Sequence, residues 1–207
     1  MDRKFEIEME NKGYNIIAGV DEVGRGCLFG DVVACAIVMP DKVIEGVMDS
    51  KKLTPKKRDA LYEEILEKAL AIGIGRVSPD IIDKINIKEA TKLAMAKAVE
   101  YLRDPQGEVV KPDFVFIDAE TIPINIEQKG LKHGDDICYS IACASIVAKV
   151  FRDRLCLKWE SEYPGYGIER HKGYGTKLHR QALLTKGVTN LHRKTFLKKI
   201  LGSTNEK

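Results

Sequence analysis

Asn15-Ile16-Ile17-Ala18-Gly19-Val20-Asp21-Glu22-Val23-Gly24-Arg25-Gly26 is the stretch that decides the fold. An apolar, β-branched run ends in two adjacent carboxylates, followed by an arginine between glycines. The apolar part reads as a buried strand over residues 14 to 20. Carboxylates at a strand end are hard oxygen donors of the kind that magnesium and manganese prefer, and glycine beside them lets a bulky anionic substrate approach the backbone. The junction points to a metal-dependent site acting on phosphates.

Outward from it, Val32-Val33-Ala34-Cys35-Ala36-Ile37-Val38-Met39, bounded by Gly30-Asp31 and Pro40-Asp41, reads as a neighbouring buried strand, and Leu70 to Arg76 as a third. Between them Thr54 can cap a helix whose first turn takes Pro55 and whose apolar face is Leu61, Ile65 and Leu66. The basic cluster Lys51, Lys52, Lys56, Lys57 and Arg58 surrounds that helix start. Apolar residues from Ile82 to Leu102 keep helical spacing over residues 79 to 103, as one helix or as two with a break near Asn86. Asp113-Phe114-Val115-Phe116-Ile117-Asp118 is a further strand with an acid at its carboxyl end. A polar stretch and then Leu131-Lys132-His133-Gly134-Asp135-Asp136 precede a helix from Tyr139 to about Glu162, whose small residues suit close packing on a sheet, with Ser140 as its cap. Tyr163-Pro164-Gly165-Tyr166-Gly167 breaks it, and a basic, helix-compatible tail runs on to Lys199.

With 207 residues and 44% hydrophobic content, the chain is long and apolar enough to bury a core, which excludes a disordered protein. No apolar stretch approaches the ~20 residues of a membrane span, and the charged start Met1-Asp2-Arg3-Lys4-Phe5-Glu6 is unlike a signal peptide, so a cytoplasmic protein is expected. Five cysteines without a C-x-x-C pair indicate neither a disulfide framework nor a zinc ribbon. Cys35, Cys138 and Cys143 lie in apolar runs and read as small core fillers. The net charge of +3 conceals a gradient: acids outnumber Lys and Arg up to Ser50, whereas ten Lys and Arg face only Glu169 and Glu206 from Gly165 onward. A basic end of that kind can neutralise backbone phosphates.

Four carboxylate positions stand out: Asp21 and Glu22, Asp118, and Asp135 with its neighbour Asp136. Adjacent side chains on a regular strand point to opposite faces, so Asp21 and Glu22 are expected to converge only where the strand ends or bends. Ligands drawn from several strand ends suit a two-ion site with cations ~3.5–4 Å apart. His171, His179 and His192 lie in the basic tail without a zinc-helix spacing and are expected to be structural donors; Asp153, inside the long helix, is expected in an ion pair.

Five segments, Gly19 to Gly26, Asp49-Ser50-Lys51-Lys52-Leu53, Ser145 to Asp153, His171-Lys172-Gly173-Tyr174-Gly175-Thr176 and His192-Arg193-Lys194-Thr195-Phe196, resemble in order the signature segments of ribonuclease HII. The resemblance covers about Ile17 to Phe196. It implies an α/β, ribonuclease H-like fold: a central mixed sheet flanked by helices, with residues 1–164 as catalytic core and 165–207 as a C-terminal helical segment that helps hold the duplex. It implies a metal-dependent endonuclease for RNA/DNA hybrids and for ribonucleotides embedded in duplex DNA, acting with two Mg2+ or Mn2+ ions on Asp21, Glu22, Asp118 and Asp135. Gly24, Arg25, Gly26 and Tyr174 match the segments that recognise the ribonucleotide, while Lys51 and Lys52 offer charge to phosphates farther along the duplex. A monomer is expected.

This chain departs from the family's usual Gly-Arg-Gly-Pro-Leu-Ala-Gly-Pro at Cys27, Phe29 and Asp31. Loss of two prolines predicts a more mobile loop. Val23 and Phe29 are similar to the sister enzyme ribonuclease HIII, but the arginine of Gly24-Arg25-Gly26 and the short stretch before the first strand favour the HII type. A hybrid-binding protein with weak catalysis and a small-molecule phosphohydrolase are the rival readings.

Overall fold

The computed structural model describes residues 1–201. Five strands, β1 (Ile17–Val23), β2 (Val32–Val38), β3 (Ala71–Val77), β4 (Phe114–Asp118) and β5 (Glu127–Leu131), form one sheet in the order β3-β2-β1-β4-β5. β1 pairs antiparallel with β2, and β2 with β3; on the other side β1 pairs parallel with β4, and β4 with β5. The sheet is therefore mixed. The helices are α1 (Lys4–Glu10), α2 (Pro55–Lys68), α3 (Pro79–Glu100), α4 (Gly134–Ile137), α5 (Tyr139–Glu162), α6 (Ile168–His171), α7 (Lys177–Lys186) and α8 (Lys194–Leu201).

Strand alternation sorts β2 between two cores. Val32, Ala34, Ala36 and Val38 pack with Ala94, Met95 and Ala98 of α3, while Cys35 and Ile37 pack with Ile65 of α2 and with Ala142, Ile146 and Val150 of α5. Helices thus cover both faces, which is why the central strands read as continuous apolar runs. α5 lies very close to β1: a Cβ on Gly19 would stand 2.3 Å from the backbone carbon of Ser140. Only glycine fits there, and the small residues of α5 serve the same approach.

Several sequence expectations need correction. β1 extends to Val23, so Asp21 and Glu22 belong to the strand itself. The apolar face of α2 is Leu61, Tyr62 and Ile65, whereas Leu66 is exposed. Ser140 does not cap α5: the flanking residue is Cys138, and the buried Glu6 of α1 takes the backbone N–H and the hydroxyl of Ser140 at 2.8 and 2.7 Å. A carboxylate from the far end of the chain therefore does the work of a local cap, satisfying a free amide of the first turn and facing the positive end of the helix. α3 is two helices joined at Asn86, whose backbone is non-helical and whose side-chain oxygen accepts from Lys88 and Glu89 N–H. β5 and α1 had no clear signal, because Glu127-Gln128-Lys129-Gly130-Leu131 is a mostly exposed edge strand and α1 buries only Glu6 and Met9.

Candidate active site

β1 and β4 are adjacent parallel strands, so Asp21 and Asp118 arrive at the same end of the sheet from distant parts of the chain. One carboxylate oxygen from each of Asp21, Glu22 and Asp118 lies within 4.8 Å of the others. β1 stays paired with β2 through Val23. β1 runs on to Val23 past its last pairing with β4, Val20 with Ile117, while β4 ends at Asp118. Asp135 of α4 is buried close by, and the N–H of its neighbour Gly134 donates to Asp118 Oδ1 at 2.7 Å. Asp136 is exposed and ion-paired with Lys52.

Crowding shows in the acidities. Burial pushes the Asp21 carboxyl well above the usual aspartate range, and the charges of Glu22 and Asp118 add to it; the nearby Ser145 hydroxyl and the Glu22 N–H, which donates to Asp21 Oδ1 at 2.8 Å, act the other way. Burial raises Glu22, against the pull of Arg25, and burial likewise raises Asp118. The positive charges near these acids, Arg25 at Glu22 and Lys51 near Asp118, do not offset their burial. Ser145 was not anticipated as a site residue; its hydroxyl also meets that of Ser50 at 3.0 Å, which links α5 to the Asp49–Lys52 segment.

The structure places Lys51 and Lys52 on acids. Lys51 Nζ is 2.9 Å from Asp135, and although burial favours the neutral amine, Asp135 outweighs that and holds the ammonium above the usual lysine range. Arg25 lies between Glu22 at 3.5 Å and Glu120 at 4.0 Å. Glu120 is a further acid at this rim that carried no sequence signal, standing outside any motif. Asp153 accepts from Lys149 at 2.6 Å. A hollow of about 610 Å³ lined by Val99, Val110, Pro123 and Ile126 contains none of these residues.

Gly24 has φ +92°, and a Cβ there would overlap the Arg152 guanidinium, so glycine is required. Tyr174 is half exposed and its ring flanks Gly26, where an added Cβ would sit 3.6 Å from Tyr174 Cε1. Three histidines stand behind it. Gly173 N–H donates to His171 Nδ1, so the neutral ring carries its proton on Nε2 and gives it to the Tyr166 carbonyl. Thr189 N–H donates to His192 Nδ1, so His192 donates from Nε2 to His179 Nε2, and His179 donates from Nδ1 to the Tyr174 carbonyl at 3.0 Å. The chain of bonds works only with neutral rings, and burial lowers both His179 and His192 to about 4.

The loop after Gly26 is not loosened by its missing prolines. Cys27, Leu28, Phe29 and Asp31 are all buried. Phe29 packs edge-on against Trp159, Tyr163, His179 and His192, and Arg152 donates to the carbonyls of Phe29, Asp31 and Lys172. Asp31 pairs with Arg76 at 2.8 Å. All five cysteines are buried and free, Cys27 included. Among the described residues no helix is long and apolar enough to cross a membrane.

Comparison with known proteins agrees with this geometry. The family model described as Ribonuclease HII matches residues 18–199. The ribonuclease HII of Alkaliphilus oremlandii is 60% identical over 198 residues, covering 95% of this chain and 98% of that protein, and that of Bacillus subtilis is 49% identical over 193 residues, covering 93% and 73%. The crystal structure of the ribonuclease H2 from Pyrococcus horikoshii matches with a TM-score of 0.76 at 25% identity, over 93% of this chain and all of that one. The chain belongs to the ribonuclease HII family, metal-dependent endoribonucleases that act on RNA/DNA hybrids.

Proposed function

We propose that the chain cuts on the 5′ side of a ribonucleotide, both in hybrids and where a single one is embedded in duplex DNA, leaving a 3′-hydroxyl and a 5′-phosphate. The observation that carries this reading is the convergence of Asp21, Glu22 and Asp118 at the end of two adjacent strands, beside the buried Asp135. The donors are all carboxylate oxygens, a set that fits Mg2+ or Mn2+ and not a softer metal. Two such ions would supply an activated water and a neutralised leaving oxygen. Asp21, the most enclosed of the four, would hold them together with Glu22, Asp118 and Asp135.

The chain's own groups do the rest. Gly26, exposed beside the Tyr174 ring, leaves backbone N–H open to a 2′-hydroxyl, the mark that separates RNA from DNA. The Tyr174 ring offers a flat surface to the next sugar, and favours one without a hydroxyl there. Arg25, Lys51 and Lys52, now paired with acids, are placed to exchange those partners for phosphate oxygens as substrate and cations enter.

Asp118→Asn should abolish cleavage of a duplex carrying one ribonucleotide, in both Mg2+ and Mn2+, while leaving hybrid affinity in place. Retention of full activity by this variant sinks the site assignment. A wild-type cut at any position other than the 5′ side sinks the recognition reading.

A further inference from the structure

Gly24, Arg25, Gly26 and Cys27 form a β-turn, closed by Cys27 N–H to the Gly24 carbonyl at 3.4 Å. Its central peptide joins Arg25 to Gly26. Turns of this kind have two forms that differ by a flip of that peptide, one with negative φ at the third residue and one with positive φ. Glycine at the third position accepts both without steric cost, so the turn's own residues leave the choice open. In the structure Gly26 lies outside the positive-φ region, and the Arg25 carbonyl accepts from Arg193 Nη1 at 2.9 Å.

Arg193 is a rigid reference for that bond. It is fully buried; its Nε donates to the Gly30 carbonyl at 3.0 Å, its backbone N–H to the Leu28 carbonyl at 2.9 Å, and its guanidinium lies over the Phe196 ring. A trans peptide is planar, with its C=O and N–H pointing in opposite directions. Holding the Arg25 carbonyl inward therefore turns the Gly26 N–H outward, at an exposed position flanked by Tyr174, and no acceptor among the described residues takes it.

We propose that Arg193 is a positioning residue for ribonucleotide recognition: by gripping the Arg25 carbonyl it selects the turn form that presents the Gly26 N–H to the substrate. This rests on the reading of Gly24, Arg25 and Gly26 as the ribose-recognition segment. The flipped form would present a carbonyl oxygen instead, which repels the phosphodiester oxygens on either side of the ribose. Lysine at position 193 keeps a charge but loses the planar fork that holds two carbonyls at once.

The test pairs kinetics with the Gly26 amide resonance, followed in an Asp118→Asn background with Mg2+ and duplexes that differ by one 2′-hydroxyl. With Arg193 present, the Gly26 amide should respond to the ribonucleotide duplex and not to the all-deoxy one. Arg193→Lys, in otherwise active enzyme, should lower kcat/KM on the one-ribonucleotide duplex about tenfold, the loss of one hydrogen bond. It should also erase the Gly26 response, while affinity for all-deoxy duplex and the amides of the α3–β3 region stay unchanged. Unaltered kinetics, an unaltered Gly26 response, or an equal loss of all-deoxy affinity would each overturn the proposal. Arg193→Gln, which retains a neutral donor, is the second variant; if neither folds, the residue's role is folding and the proposal fails. If the Gly26 amide does not distinguish the two duplexes even with Arg193 in place, it is the recognition-segment reading that fails.

Discussion

Lys51 sits on Asp135 with its ammonium 2.9 Å from a carboxylate proposed as a cation ligand, so the lysine and a cation would compete for that carboxylate. Its side chain is 76% exposed, so the pair is solvent-screened and contributes no more than about 1 kcal/mol. Lys51→Ala should therefore lower the Mg2+ concentration for half-maximal cleavage by up to about fivefold. A titration with an unchanged or higher requirement would show that Lys51 does not compete with metal. Asp21 and Glu22 were legible as residues, because two acids closing an apolar run are conspicuous. How they meet was not, since Asp118 reaches them from a strand far along the chain.

At the scale of elements, α5 carries the site. Its start presses on Gly19, its next turn brings the Ser145 hydroxyl near Asp21, and Glu6 of α1 accepts the Ser140 amide of its first turn. Gly19→Ala would force Ser140 backbone away from β1 and should cost about 1–3 kcal/mol of stability, with a fall in kcat as Ser145 shifts. Thermal melting with single-turnover kinetics checks both. Glu6→Ala leaves the Ser140 N–H and hydroxyl without their buried acceptor and should cost a further ~1–3 kcal/mol, read by urea denaturation. Ser140 was the natural choice of cap from sequence, because serine ordinarily caps within its own segment; nothing local could show that a distant glutamate takes that place.

Across the whole molecule, the C-terminal segment and the loop from Gly24 to Asp31 are one packed structure, joined by Leu28 N–H to the Gly173 carbonyl and Gly30 N–H to the Leu191 carbonyl, both at 2.8 Å. The three neutral histidines are part of that join, and their neighbours are the carbonyls of Tyr166 and Tyr174, the backbone of Gly173 and Thr189, and the ring of Phe29. Because His179 and His192 are lowered to about 4, the unfolded chain binds more protons than the folded one between about pH 6.5 and 4. Their contribution to stability is complete above pH 6.5 and falls with pH, by about 1.4 kcal/mol per unit for each ring that titrates. Asp21, raised by burial, works in the opposite sense over its own range. Imidazole nitrogen resonances should report both rings neutral at pH 6, with the proton on Nδ1 of His179 and Nε2 of His192; midpoints near 6.5 would refute the buried neutral pair.

What the sequence determined by itself was the set of elements and the acids at their ends: apolar runs broken by glycine and proline mark β1, β2, β3 and β4, and Asp21, Glu22 and Asp118 lie at the tips of two of them. These features are local, since strand period, turn residues and helix spacing are set by near neighbours along the chain. Tertiary structure alone decided which strand stands beside β1, how the carboxylates share one space, that Glu6 serves α5, and that Arg152, Arg193 and the histidines hold the loop from Gly24 to Asp31 in place of proline. A buried polar group must find its partner wherever packing brings one, and that partner's position along the chain leaves no trace near the group it satisfies.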